Sequence, residues 1–190
     1  DRRNHFPSLE EQAETLAEAL RLASDDLFTA LKERLRARHG ISVRILPVDV
    51  MPESLRRFDH HRKQLHLSEL LDASSRTFHA GFQLALLEAR SPIAALTESS
   101  GLADDAARRL LRINLANTFA AGLMMPYGRF LAAAEQSGYD LILLGSRFGA
   151  GFEQVCHRLT TLQRPSARGV PFFMVRVDQA GNVSKRFAAG

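Results

Sequence analysis

The residues best spaced for chemistry are His79 and Gln83, four apart in the run His79-Ala80-Gly81-Phe82-Gln83. Residues i and i+4 share one face of an α-helix. A zinc peptidase helix uses that face to present two histidines, with a glutamate at i+1 as general base for the metal-bound water. Here His79 fits the first ligand, Ala80 stands where the base is needed and Gln83 where the second imidazole is needed. Hydrolysis is not expected, and neither a catalytic residue nor a metal site is assigned. The other histidines do not repair the set. His60, His61 and His66 fall on an expected hairpin, where successive side chains point to opposite faces. Cys156 and His157 are neighbours on an expected helix and diverge by about 100°. Cys156 reads as a small buried hydrophobe. No G-x-S-x-G elbow and no phosphate-cradling glycine fingerprint occurs.

Binding is the chemistry that remains. Arg147, Arg158, Lys185 and Arg186 could grip phosphate, the arginines through forked hydrogen bonds and the lysine as a point charge. Phe78, Phe82, Phe119 and Met124 could line an apolar cleft for an acyl tail. A competing reading makes Tyr139–Phe187 a winged helix-turn-helix, with His157 and Arg158 on its recognition helix and a β-hairpin as the wing.

These side chains need elements to place them. Ser8–His39 keeps leucines and alanines at alternating three- and four-residue steps, which predicts one long helix ended by Gly40 in a left-handed cap. Its narrow stripe suits another helix, so 1–40 is expected to link or dimerise and 41–190 to form the main domain. Ile41–Leu46 alternates as a strand. Leu55–Leu67 reads as a hairpin turning near Asp59–Arg62. Helices are expected over Ala73–Ala89, Leu102–Met125, Arg129–Gln136, Tyr139–Phe148 and Phe152–Leu162, with a loop at Ser91-Pro92. Val170–Val177 and Val183–Phe187 read as strands, the first apolar on both faces and expected to be buried.

Composition sets outer limits. The 190 residues suffice for one substantial core. A formal charge of +4 permits an anionic ligand without demanding nucleic acid. The single cysteine fits a reducing cytoplasmic setting rather than a disulfide framework. No apolar run approaches the ~18–20 residues of a membrane helix, so no membrane partner is expected. The sequence starts at Asp1 rather than Met, as an excised fragment would.

Asn114-Leu-Ala116-Asn117-Thr-Phe119-Ala120 followed by Leu-Met-Met125-Pro126 resembles a signature of the ImmA/IrrE-type metallopeptidases. That resemblance implies an α+β, mostly helical zincin-like fold with a small β-sheet. It also places the third zinc ligand, a glutamate, at Ile113. From Arg56 onward the chain resembles the short-chain fatty acyl transcriptional regulators (RamB-like and propionyl-CoA-carboxylase-regulator-like proteins). The matching blocks include Arg76-Thr77-Phe78, Phe152-Glu153-Gln154-Val155-Cys156-His157-Arg158-Leu159 and Ala180-Gly181-Asn182-Val183-Ser184-Lys185-Arg186. The resemblance implies a pseudo-peptidase domain that senses an acyl-CoA effector, needs no cofactor, forms a homodimer and reaches DNA through a helix-turn-helix domain outside this chain. Phosphates would then lie near Arg147, Arg158, Lys185 or Arg186, and His79, Gln83, Asn117, Tyr127 and His157 would complete the contacts. A residual zinc peptidase and a ligand-free dimerisation module are the alternatives.

Overall fold

The computed structural model describes residues 6–188, with the side chains of Lys185 and Ala188 outside the described set. The fold is α+β. The expected single N-terminal helix is instead two, α1 (Pro7–Ala23) and α2 (Leu27–His39). The break is chemical. Asp26 takes an extended backbone and accepts from the Thr29 amide at 2.8 Å, while its own amide donates to Ser24 Oγ at 3.2 Å. Short polar side chains that bond nearby amides favour helix caps over helix interiors. Gly40 does end α2 in the left-handed region, at φ 65°. The stripe Leu9, Ala13, Leu16, Leu20, Leu31 and Leu35 is buried within the chain's own core rather than left for a partner.

β1 (Ser42–Leu46), β2 (Arg56–Asp59) and β3 (Gln64–Ser68) form one sheet in the order β1-β3-β2. β1 runs parallel to β3 and β2 antiparallel to it, so the predicted hairpin is present. Leu65 and Leu67 face the core. α3 (Ala73–Glu88) is capped by Asp72. The expected loop at Ser91-Pro92 is a helix, α4 (Arg90–Glu98). Proline fits there because the first-turn amides have no partner within the helix.

α5 (Asp105–Met124) is the central helix, packed on α3, α1 and α4. It meets α1 closely: a Cβ added at Gly122 would lie 2.9 Å from Ala13 Cβ. A second apolar cluster gathers around Met125, Phe130, Leu144, Val155 and Leu159. It is built by α6 (Tyr127–Gln136), α7 (Leu141–Phe148) and α8 (Phe152–Leu159). The paired β4 (Gln163–Arg164) and β5 (Ala167–Arg168) follow, and were not expected from sequence. Last comes the hairpin of β6 (Phe173–Val177) and β7 (Val183–Ala188). β6 is not the buried strand its composition suggests, since Phe173 is 78% exposed. A lone hairpin has too few neighbours to cover both of its faces.

Candidate functional site

α3 carries His79 and Gln83 four residues apart, on the helix face where the resemblance implies a peptidase metal. Gln83 is buried, and its amide oxygen accepts from the Arg56 guanidinium. That guanidinium also lies over the Phe82 ring, 4.9 Å from its centre. Burial lowers the basicity of His79, and the charge of Arg56 lowers it further. A permanent cation thus stands where the resemblance would place a divalent ion. Among the described residues no group of three or more His, Cys, Asp or Glu could hold a metal. Ile113, at the implied third ligand position, is 47% exposed and carries no donor. Arg56 was not among the residues predicted for the site; only its place on β2, facing α3, reveals it.

A cavity of about 600 Å³ opens between α3, α5, the start of α8 and the β6–β7 hairpin. Phe78, Leu111 and Leu115 form an apolar wall; Asn114, Asn117 and His157 supply polar groups. Met174 and Phe187 close it from the hairpin. The His157 ring meets Phe187 edge-on with centroids 4.3 Å apart. Gln154 accepts from the Gly151 amide at 2.8 Å and so caps α8 beside the opening. Apolar walls with a few placed polar groups are the usual composition of a small-molecule site.

The structure brings together only part of the predicted set. Asn117, His157 and Phe78 line the cavity, whereas Phe82, Phe119 and Met124 do not. Tyr127 is fully buried: its hydroxyl donates to the Ala167 carbonyl and accepts from the Arg164 amide, both at 2.8 Å. Arg158 is no phosphate receptor. It is buried and holds Glu10 of α1 through two hydrogen bonds, at 2.6 and 2.8 Å. Burial alone would lower its basicity, but the Glu10 carboxylate overrides this and raises it. The recognition-helix reading of α8 fails for the same reason, because its cation points into the protein. Arg147 is exposed, grouped with Arg21 and Arg129 away from the cavity lining. Arg186 is exposed on β7, and the Lys185 side chain lies outside the described residues. Cys156 is half-buried, with its thiol pushed up by burial.

The cavity joins two stretches of distinct kinship. Residues 36–160 match the IrrE N-terminal-like domain. The chain belongs to that family. Residues 161–190 match the C-terminal domain of short-chain fatty acyl coenzyme A regulators. The whole chain is 43% identical to the HTH-type transcriptional regulator PrpR of Mycobacterium tuberculosis, and spans 39% of that protein's length. It is 42% identical over 164 residues to the propionyl-CoA carboxylase regulator of Cereibacter sphaeroides, covering 86% of this chain and 34% of the relative. A solved structure described as a Mycobacterium tuberculosis transcriptional regulator superposes with a TM-score of 0.93 at 42% identity, covering all of this chain and 57% of that one. The IrrE-like stretch therefore supplies Phe78, Asn117 and His157 to the cavity, and the segment after residue 160 supplies Met174 and Phe187. No described helix is long and apolar enough to cross a membrane.

Proposed function

We propose that this chain is the effector-sensing unit of a cytoplasmic bacterial transcriptional regulator of short-chain acyl-CoA metabolism, and that it binds an acyl-CoA without hydrolysing peptides. The observation that carries this reading is the cavity itself. Its volume of about 600 Å³ lies within the usual range for small-molecule sites. Its walls come from both family segments, so an occupant touches the IrrE-like helices and the β6–β7 hairpin at once. The acyl group lies against Phe78, Leu111 and Leu115, with Asn117 and His157 hydrogen-bonding its polar part.

Binding shifts an equilibrium only if the ligand contacts two arrangements unequally. The reading is supported by a cavity whose hairpin wall and α5 wall are separate elements, since a ligand touching both would favour the arrangement that holds them together. In the full regulator two copies associate, and a separate helix-turn-helix domain holds DNA. The absence of hydrolysis is supported by Arg56, whose fixed positive charge beside His79 opposes a divalent ion.

Calorimetry with propionyl-CoA and acetyl-CoA tests the reading. Binding is expected, and Ala121→Phe, which fills the cavity from α5, is expected to abolish it. Heats that are absent at millimolar ligand, or unchanged in the filled variant, overturn it.

A further inference from the structure

The outer face of the three-stranded sheet carries two arginines flanking a histidine, which nothing above uses. Arg44 of β1 pairs in register with His66 of β3, and Arg57 of β2 pairs with His66 from the other side. Directly opposed residues project to the same face of a sheet. The three side chains therefore stand together, opposite Leu65 and Leu67, which point into the core. Strands lie about 4.8 Å apart, so the two arginine backbones are roughly 10 Å apart with His66 between them. Arg57 approaches His66 Nδ1 at 3.4 Å, and His66 Nε2 meets Gln64 Oε1 at 3.0 Å.

The charges around this row do not cancel. Arg44, Arg57 and Arg62 are all exposed. None forms an ion pair among the described residues. The single carboxylate facing His66 is Asp59, which already accepts from the Arg62 amide at 2.9 Å. Shielding from solvent and then Arg57 push the imidazole below its usual 6.5; Asp59 pulls the other way more strongly than Arg44 or Arg62 individually pushes, and the net direction is down. A neutral histidine held among three guanidiniums is poised to take a proton when negative charge arrives.

We propose that the Arg44–His66–Arg57 row docks on the phosphodiester backbone of duplex DNA, giving the regulator a sequence-independent grip outside its helix-turn-helix, and that docking draws a proton onto His66. Charge complementarity selects the occupant. The exposed part of the site is the Arg44 and Arg57 guanidiniums, which can meet successive phosphates, while His66 is buried between them and senses a phosphate through its contact with Arg57. The one ring in the row, His66, is buried, and the two exposed side chains are guanidiniums, so the row offers phosphate contacts rather than a base-stacking platform. The proposal rests on the regulator role given above but not on the acyl-CoA cavity.

The test is fluorescence anisotropy of the 190-residue chain with a short labelled duplex and no acyl-CoA. Phosphodiesters keep their charge across the range studied, so pH dependence reports the protein. Binding is expected in the non-specific range of about 10⁻⁴–10⁻⁶ M, with a log–log salt slope of roughly −2 to −3 for two or three phosphates. Arg44→Gln with Arg57→Gln should weaken binding at least about tenfold at low salt and flatten the slope by about 2. Affinity should rise as pH falls from about 8 to about 5.5, and His66→Gln should remove most of that rise. The double variant His60→Gln/His61→Gln should retain it. No duplex binding, equal binding by the arginine variant, or an unchanged pH profile in His66→Gln overturns the proposal. So does binding to phosphatidylserine vesicles with none to duplex. Acyl-CoA calorimetry on the same variants separates this failure from that of the cavity, since none of these substitutions touches its lining.

Discussion

Glu10 and Arg158, 148 residues apart in sequence, form a two-point ion pair with both side chains shut off from solvent. Arg158 also donates from Nε to the Met125 carbonyl at 2.9 Å and from Nη1 to Thr161 Oγ1 at 3.0 Å, so its donors meet acceptors from three elements. One helical turn on, Glu14 accepts from the Gly128 amide at 2.7 Å and pairs with Arg164. The Tyr127 ring lies under both guanidiniums, 4.1 Å from Arg164 and 5.6 Å from Arg158. α1 is thereby fastened to the C-terminal half. His157, in the cavity wall, is the residue next to the clamp.

Removing one partner leaves a buried charge without compensation, which costs about 3–5 kcal/mol. Glu10→Leu or Arg158→Met should each lower the urea midpoint strongly. The double variant Glu10→Leu/Arg158→Met should recover most of that loss, since a hydrophobic pair of similar volume is often neutral. Equilibrium denaturation of the three variants measures this directly. Additive losses in the double variant would refute a coupled pair.

The α2–α3 contact should make the protein acid-labile. Burial alone would raise the Glu88 carboxyl, but Arg34, which meets both its oxygens, and His39 at 2.9 Å outweigh this and lower it. A carboxylate depressed in the folded state stabilises above its unfolded value and loses that contribution as pH falls through the folded one. Stability should therefore decline below about pH 4.5, the ordinary value for glutamate. Thermal melts from neutral pH downward should show this decline, and Glu88→Gln should flatten it while lowering the melting temperature at pH 7.

Glycines 81 and 122 sit in helices but should respond differently to alanine. Helix propensity alone favours alanine at both by about 1 kcal/mol. At Gly81 the new methyl would meet Ala120 and Leu123 at 3.6 Å, an ordinary contact. At Gly122 it would meet Ala13 Cβ at 2.9 Å, forcing α1 away from α5. Gly81→Ala should be neutral or stabilising, and Gly122→Ala destabilising by about 1–3 kcal/mol. Paired denaturation curves decide it; equal effects would mean that the α1–α5 contact yields.

Zinc should not bind stoichiometrically to protein purified without chelator. Installing Ala80→Glu, Gln83→His and Ile113→Glu should recover zinc poorly while Arg56 remains, and better once Arg56→Leu is added. Plasma emission analysis of the four-substitution and three-substitution proteins reads the difference. Equal zinc in both would show that the Arg56 charge does not oppose a metal.

Much of the architecture was legible locally. Gly40 announces its left-handed cap, the leucine spacing marks the buried faces of α1 and α2, and Pro126 marks the end of α5. The split at Ser24-Asp25-Asp26 was also written in the chain, since Asp26 has the side chain of an N-cap. It was outweighed by an apolar period that continues in phase across the break. Pro92 misled in the opposite sense, because proline signals a stop within a helix but fits its first turn.

The sequence by itself determined the family, most of the helices and strands, and the residues at positions 79, 80, 83 and 113, because each depends on residue type and on spacing within a few turns. Only the tertiary structure decided which charges face a ligand. Arg147, Arg158 and Arg186 are equivalent on paper, yet Arg158 is sequestered by Glu10 while Arg147 and Arg186 stay exposed. The physical reason is that the environment of a guanidinium is set by its cross-chain neighbours. Those are fixed only when α1 closes against α8 and when strand register aligns Arg44, His66 and Arg57.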